Sequence, residues 1–261
     1  MKKKAIVLTI ILLIFYTVPS CKRGKTEITP EIASSDEALY KLGETYVKKN
    51  PEKARIYMRQ VIDSFPKSFY AQRAKLGIAE SYFQKGDEGN LILAASEYRE
   101  FISLYPLSPS APYAQYQIGL CHFKKALGPG RDQTKTRQSL EEFRKVITTY
   151  PMSEEAEAAR EKIKECEERL AEHTLGIGRL YYKMRAYKAA LSRLRELLTD
   201  YPDFSKMDEV YYYLGDSYFK SKVFEESIPY FSKLITDFPE SKFAEKAQKR
   251  MEDLEKAQKK E

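Results

Sequence analysis

GRLYYKMRAYKAALSRLRELLTDYP, residues 178–202, and GDSYFKSKVFEESIPYFSKLITDFP, residues 215–239, carry one pattern. Each opens on a glycine, Gly178 or Gly215, with a tyrosine three residues on, Tyr181 or Tyr218. Each has a small residue midway, Ala190 or Ser227, and closes on an aromatic–proline pair, Tyr201-Pro202 or Phe238-Pro239. Working outward, the closing pair recurs at Phe65-Pro66, Tyr105-Pro106 and Tyr150-Pro151, giving spacings of 40, 45, 51 and 37 residues. Periods of this size mark helical pairs stacked one on the next.

The phrase around each pair reads as a joint. FPKSFYAQRA (65–74), YPLSPSAPYA (105–114), YPMSEEAEAA (150–159) and FPESKFAEKA (238–247) are near copies, and YPDFSKMDEV (201–210) is a looser one. The proline stops a helix because it has no N–H to donate. Ser68, Ser108, Ser153 and Ser241 stand two residues later, where a hydroxyl caps the next helix. Small residues recur in two further registers, Gly43, Ala79, Gly119, Gly178 and Gly215 in one, and Ala54, Ala94, Ser139, Ala190 and Ser227 in the other. Both registers let the two helices of a pair approach. A ring follows the first register, at Tyr46, Tyr82, His122, Tyr181 and Tyr218.

This code resembles the tetratricopeptide repeat. The expected fold is therefore all-α, a tetratricopeptide-repeat superhelix (α-solenoid) of five helical pairs, with an amphipathic capping helix over 241–258. Three departures give the chain its individuality. GDEGNL precedes Ala94, and KALGPGRDQTKTRQ precedes Ser139. Pro151 stands 27 residues before Gly178, against 13 elsewhere, and the surplus is close to four turns. Helix phase is kept, so residues 153–183 are expected to form one long helix.

The first twenty residues read as an address. Lys2, Lys3 and Lys4 precede an apolar run from Ala5 to Tyr16, the form of an export signal and too short to span a bilayer. Val18-Pro19-Ser20-Cys21 resembles the lipobox of bacterial lipoproteins. That resemblance implies cleavage before Cys21 and covalent diacylglycerol and N-acyl chains on it, with no other cofactor. Lys22, in place of an aspartate, favours the outer membrane over retention on the inner one. The expected organisation is signal peptide 1–20, lipid-proximal tether 21–35, N-terminal repeats 36–151, and C-terminal repeats with the capping helix 152–261.

Removing residues 1–20 takes three of 45 basic residues and no acid, leaving 42 bases against 38 acids. The two signs are interspersed along the helices, so there is no nucleic-acid footprint. No catalytic constellation is present either. The chain has two histidines and no metal-ligand spacing, Gly128-Pro129-Gly130-Arg131 lacks the rest of a P-loop, and no serine sits in a nucleophile elbow. Glu141-Glu142 is expected on a solvated helix face, His122 in the repeat core, and Cys121 and Cys166 as buried thiols.

RDQTKTRQSLEEFRKVITTYP (131–151) and LAEHTLGIGRLYYKMRAYKAALSRL (170–194), together with the lipobox and five repeats, resemble the BamD family, lipoproteins of the outer-membrane β-barrel assembly machinery. The resemblance implies a non-enzymatic scaffold on the periplasmic face of the outer membrane. Its partners would be the periplasmic domains of BamA, other Bam lipoproteins and unfolded outer-membrane β-barrel proteins. Arg185 and Arg193 match family arginines and are expected at the BamA contact. Arg131, Asp132 and Arg137 are expected at a partner or as a brace for the insert. Tyr46, Tyr70, Tyr82 and Tyr116 are the expected aromatic platforms of a client groove in the N-terminal repeats. The alternative is another periplasmic repeat lipoprotein, of the cell-division coordinator or pilotin type.

Overall fold

A computed structural model of the chain describes residues 28–258. The export signal, Cys21 and the start of the tether lie outside the described residues. Twelve helices follow one another among those described. After α1 (Pro30–Ala33) come five hairpins: α2 (Asp36–Tyr46) with α3 (Pro51–Ser64), α4 (Phe69–Lys85) with α5 (Glu88–Leu104), α6 (Ala111–Lys124) with α7 (Thr134–Thr149), α8 (Glu154–Lys183) with α9 (Tyr187–Asp200), and α10 (Met207–Lys220) with α11 (Phe224–Asp237). Helix α12 (Ala244–Gln258) closes the stack against α10 and α11. The chain has the tetratricopeptide-repeat fold, five pairs and a cap.

The joints are built alike. Phe65, Tyr105, Tyr150, Tyr201 and Phe238 each end a second helix with φ between −129° and −138° and ψ between 56° and 62°. A residue before proline is driven out of the helical region. Each still donates its N–H to the carbonyl four residues back, from Val61, Phe101, Val146, Leu197 and Leu234. Ser68 accepts from the N–H of Tyr70 at 2.9 Å, Ser153 from Ala156 at 3.2 Å and Ser241 from Phe243 at 3.1 Å. Ser108 makes the same contact, accepting from the N–H of Ser110 at 3.2 Å just before α6 begins.

Small residues do hold the pairs together. An ideal Cβ on Gly119 would lie 2.5 Å from Phe143, one on Gly215 2.6 Å from Phe231, and one on Gly178 2.8 Å from Leu194. The partner side chain fills the space a methyl would need. Ala54, Ala94, Ser139, Ala190 and Ser227 are all fully buried on the second helices.

Residues 154–183 form a single helix of 30 residues, as the phase argument requires. It packs on α6 and α7 and on α9 and α10. The segment 21–35 needs one correction. Pro30–Ala33 form a helical turn with Thr29 as its cap, and Ile32 packs against the first core cluster. That part of the tether is docked, because Thr-Pro opens a turn and Ile32 has an apolar surface to cover.

Candidate functional site

First helices of neighbouring pairs touch at α2–α4, α6–α8, α8–α10 and α10–α12. Between α4 and the start of α6 a cavity of about 540 Å³ opens instead. Tyr40 and Glu44 of α2, Phe69, Arg73 and Glu80 of α4, and Ser108 to Ser110 of the second joint line it. Phe69 is 65% exposed, unusual for so large a ring. The Arg73 guanidinium lies 4.9 Å from the Tyr40 ring centroid, 5.9 Å from that of Phe69 and 3.8 Å from the Glu44 carboxylate. Tyr40 donates to Glu44 at 2.8 Å. Burial, then that bond, pushes the Tyr40 phenol up to about 12. Burial also raises Glu80 above the usual carboxylate range, against a hydrogen bond from Tyr113. The result is an aromatic wall around one half-exposed cation, a surface suited to a chain with apolar rings and a carboxylate.

The four expected platforms are placed differently. Tyr70 abuts this wall, 5.5 Å from Tyr40 and 5.7 Å from Phe69. Tyr46 packs beside Tyr57, under Lys53. Tyr82 lies beneath the Arg55 guanidinium, and Tyr116 lies against Phe143. These last three are half-buried in the packing between helices. The repeat code marks rings that pack within and between pairs. Tyr40, Phe69 and Arg73 lie outside its registers, so nothing in the code points to them.

The C-terminal turns form a second surface. Arg185 and Lys222 hold φ near 60°, the left-handed region that Gly86 occupies at the turn of the second pair. A side chain there strains the backbone. Arg185, Tyr187, Lys188, Ser192 and Ser221 line a shallow hollow beside this turn. Arg193 is half-exposed and grips Glu196 of its own helix at 2.9 and 3.1 Å.

In the insert, Arg131 and Arg137 expose their side chains, and Asp132 accepts from the Thr134 N–H and hydroxyl at 3.0 Å each. The brace itself comes from two residues not singled out in the sequence. Gln133 is buried and donates to the carbonyls of Gly128 and Arg131. His173, far along α8, meets the Pro129 carbonyl at 2.6 Å. A carbonyl only accepts, so Nδ1 of His173 carries the proton.

Glu141 is exposed as expected, but Glu142 is not a solvated group. It accepts from Gln115 at 2.7 Å and lies 3.4 Å from both Arg99 and Lys145. His122 completes this cluster, its Nε2 3.1 Å from Arg99. An arginine only donates, so that nitrogen accepts and the ring is neutral. Burial, reinforced by Arg99 and Lys135, lowers its pKa below 6.5. The unfolded chain therefore binds a proton first on acidification, and stability falls as pH drops below 6.5 towards the folded value. His122→Gln is expected to flatten the Tm–pH curve in that window. An unchanged slope would refute the assignment.

Cys121 and Cys166 are buried and unpaired, and burial pushes the Cys121 thiol up to about 12. Among the described residues no group of three or more His, Cys, Asp or Glu is arranged to hold a metal ion. Nor is any helix there long and apolar enough to cross a membrane.

The stack of helical pairs thus presents a ringed groove among its first pairs and a hollow with two basic side chains beside the turn of the fourth. The chain belongs to the BamD family of outer membrane lipoproteins: the model of the YfiO family, outer membrane lipoprotein, matches residues 32–223. A tetratricopeptide-repeat model matches residues 209–241. Relatives named outer membrane protein assembly factor BamD include one from Caulobacter vibrioides, 30% identical over 68% of this chain. Others come from Haemophilus influenzae, 25% identical over 71%, and Xylella fastidiosa, 25% over 80%. The chain spans 58% of the length of the Caulobacter relative, 73% of the Haemophilus one and 76% of the Xylella one. Among solved structures, the TPR2AB domain of yeast Sti1 in complex with pHSP90 aligns at 15% identity with a TM-score of 0.47, covering 85% of this chain and 86% of that one. PilW, a type IV pilus biogenesis factor, aligns at 12% with a TM-score of 0.33, covering 82% and 83%.

Proposed function

We propose that this lipoprotein works as the BamD scaffold of the β-barrel assembly machinery. Acyl chains on Cys21 hold it to the periplasmic face of the outer membrane. The groove of the N-terminal pairs receives the C-terminal strand of unfolded barrel proteins, and the turns of the fourth and fifth pairs dock the periplasmic domains of BamA. The observation that carries the reading is the groove. Tyr40 and Phe69 offer rings to an apolar-aromatic strand, and Arg73 offers a guanidinium to its carboxylate. A helical wall also presents no free sheet edge on which such a strand would aggregate.

The docking surface rests on Arg185 and Arg193. The first is held in a strained turn, and the second is positioned to exchange its Glu196 partner for a carboxylate of the other protein. Arg131 and Arg137 extend a basic surface from the insert.

Affinity purification from envelope membranes tests the whole reading. The expected co-purifying protein is an outer-membrane barrel protein with periplasmic repeat domains, and divisome or pilus proteins in its place would overturn it. In the same preparation, Arg193→Glu is expected to weaken recovery of that partner without changing the helical circular-dichroism signal. Unchanged recovery would remove Arg193 from the interface.

A further inference from the structure

The long α8 carries the fourth joint to its own middle, where the Ser205 N–H bonds Glu168, whereas the first three joints, each at the start of a first helix, lie along one edge of the stack. The chain enters the domain at this same edge, because Ser68 of the first joint bonds Asp36, the first residue of α2. Ile28 stands seven residues after Cys21, and seven residues reach at most about 25 Å. An anchor at Cys21 therefore keeps the joint edge close to the bilayer.

The residue after each joint proline projects outward and is exposed in all five joints. In order these are Lys67, Leu107, Met152, Asp203 and Glu240. Leu107 and Met152 are each 96% exposed, and Leu104 adds a further exposed side chain beside the first. A packing role does not account for them, since lysine, aspartate and glutamate fill the same position elsewhere. The order is also directional. A cation comes nearest the anchor, two apolar tips follow, and two acids come last. Headgroup phosphates attract the first, acyl chains accept the second, and an anionic surface repels the third.

We propose that the first three joints rest on the lipid surface, with Leu107 and Met152 inserted at the headgroup boundary and the last two joints held clear of it. The domain would then lie tilted, its N-terminal end against the membrane. This rests on acylation of Cys21 but concerns a contact that the acyl chains do not themselves make.

The test uses full-length lipoprotein in vesicles of phosphatidylethanolamine and phosphatidylglycerol that include a nitroxide-bearing lipid. A fluorophore is attached in turn at Leu107→Cys, Met152→Cys, Asp87→Cys and Lys222→Cys. Cys121 and Cys166 are buried and do not compete for label. Positions 107 and 152 are expected to lose emission to the lipid quencher, while 87 and 222, on the opposite edge, keep theirs. Leu107→Glu with Met152→Glu should abolish quenching of a label at Lys67→Cys. Equal emission at all positions, or shielding at 107 and 152 only after BamA is added, would overturn the contact. Mass spectrometry of the same preparation reports acylation separately. An unmodified Cys21 would sink the anchor reading and the contact with it, whereas a modified Cys21 with unquenched tips sinks the contact alone.

Discussion

Phe143→Ala is expected to cost about 3–5 kcal/mol of unfolding free energy, the ordinary loss for a buried phenylalanine. Phe143 is fully buried, its ring 5.3 Å from that of Tyr116 and 6.4 Å from that of Phe123. It also occupies the space that Gly119 leaves open, where a Cβ would meet it at 2.5 Å. Gly119→Ala should therefore cost about 1–3 kcal/mol by overpacking, although alanine is the better helix former. Because both changes act on one contact, they should not add. Gly119→Ala combined with Phe143→Leu is expected to lose less than the sum of the single changes. Urea unfolding followed by circular dichroism measures all of these. A Phe143→Ala protein within 1 kcal/mol of the parent would mean that the ring does not hold the third pair together.

Binding of a peptide with the C-terminal strand of a barrel protein should fall by about 30-fold or more on Arg73→Glu, corresponding to about 2 kcal/mol. The guanidinium is the cation on the cavity wall, stacked on Tyr40 and opposed by Glu44 at 3.8 Å. Reversing its charge adds a third carboxyl group to those of Glu44 and Glu80, all facing any incoming one. Phe69→Ala should weaken binding through lost ring contact while leaving the fold untouched, since that ring is largely exposed. Tyr116→Phe serves as a control, because that ring faces Phe143 away from the cavity. Fluorescence anisotropy of a labelled peptide distinguishes these cases. Equal affinities for the parent and for Arg73→Glu would move the client site elsewhere.

How much of this was legible in the sequence follows from what a repeat code encodes. The aromatic–proline joints, the small residues and the 27-residue interval report backbone events, and these fixed the five pairs, the cap and the long α8. The lining of the groove is not a backbone event. Phe69 and Arg73 follow Ser68 on a helix face that the packing pattern leaves free to vary. Tyr46 and Tyr82 obey the pattern and are consequently half-buried. Long-range contacts were hidden for a different reason. Pro129 and His173 are 44 residues apart, and no local signal says that the glycine-rich insert folds back onto α8. Thr29-Pro30-Glu31 did carry a visible helix start within the segment read as a tether.

The 30 residues of α8 are about 45 Å of continuous helix. This one rod belongs to both halves of the stack, holding α6 and α7 with one part and α9 and α10 with the other. A partner that seizes the last two pairs thereby aims the first three, as a handle aims a blade. Two glycines inserted midway along α8 would leave each end able to grip and deprive the protein of its aim.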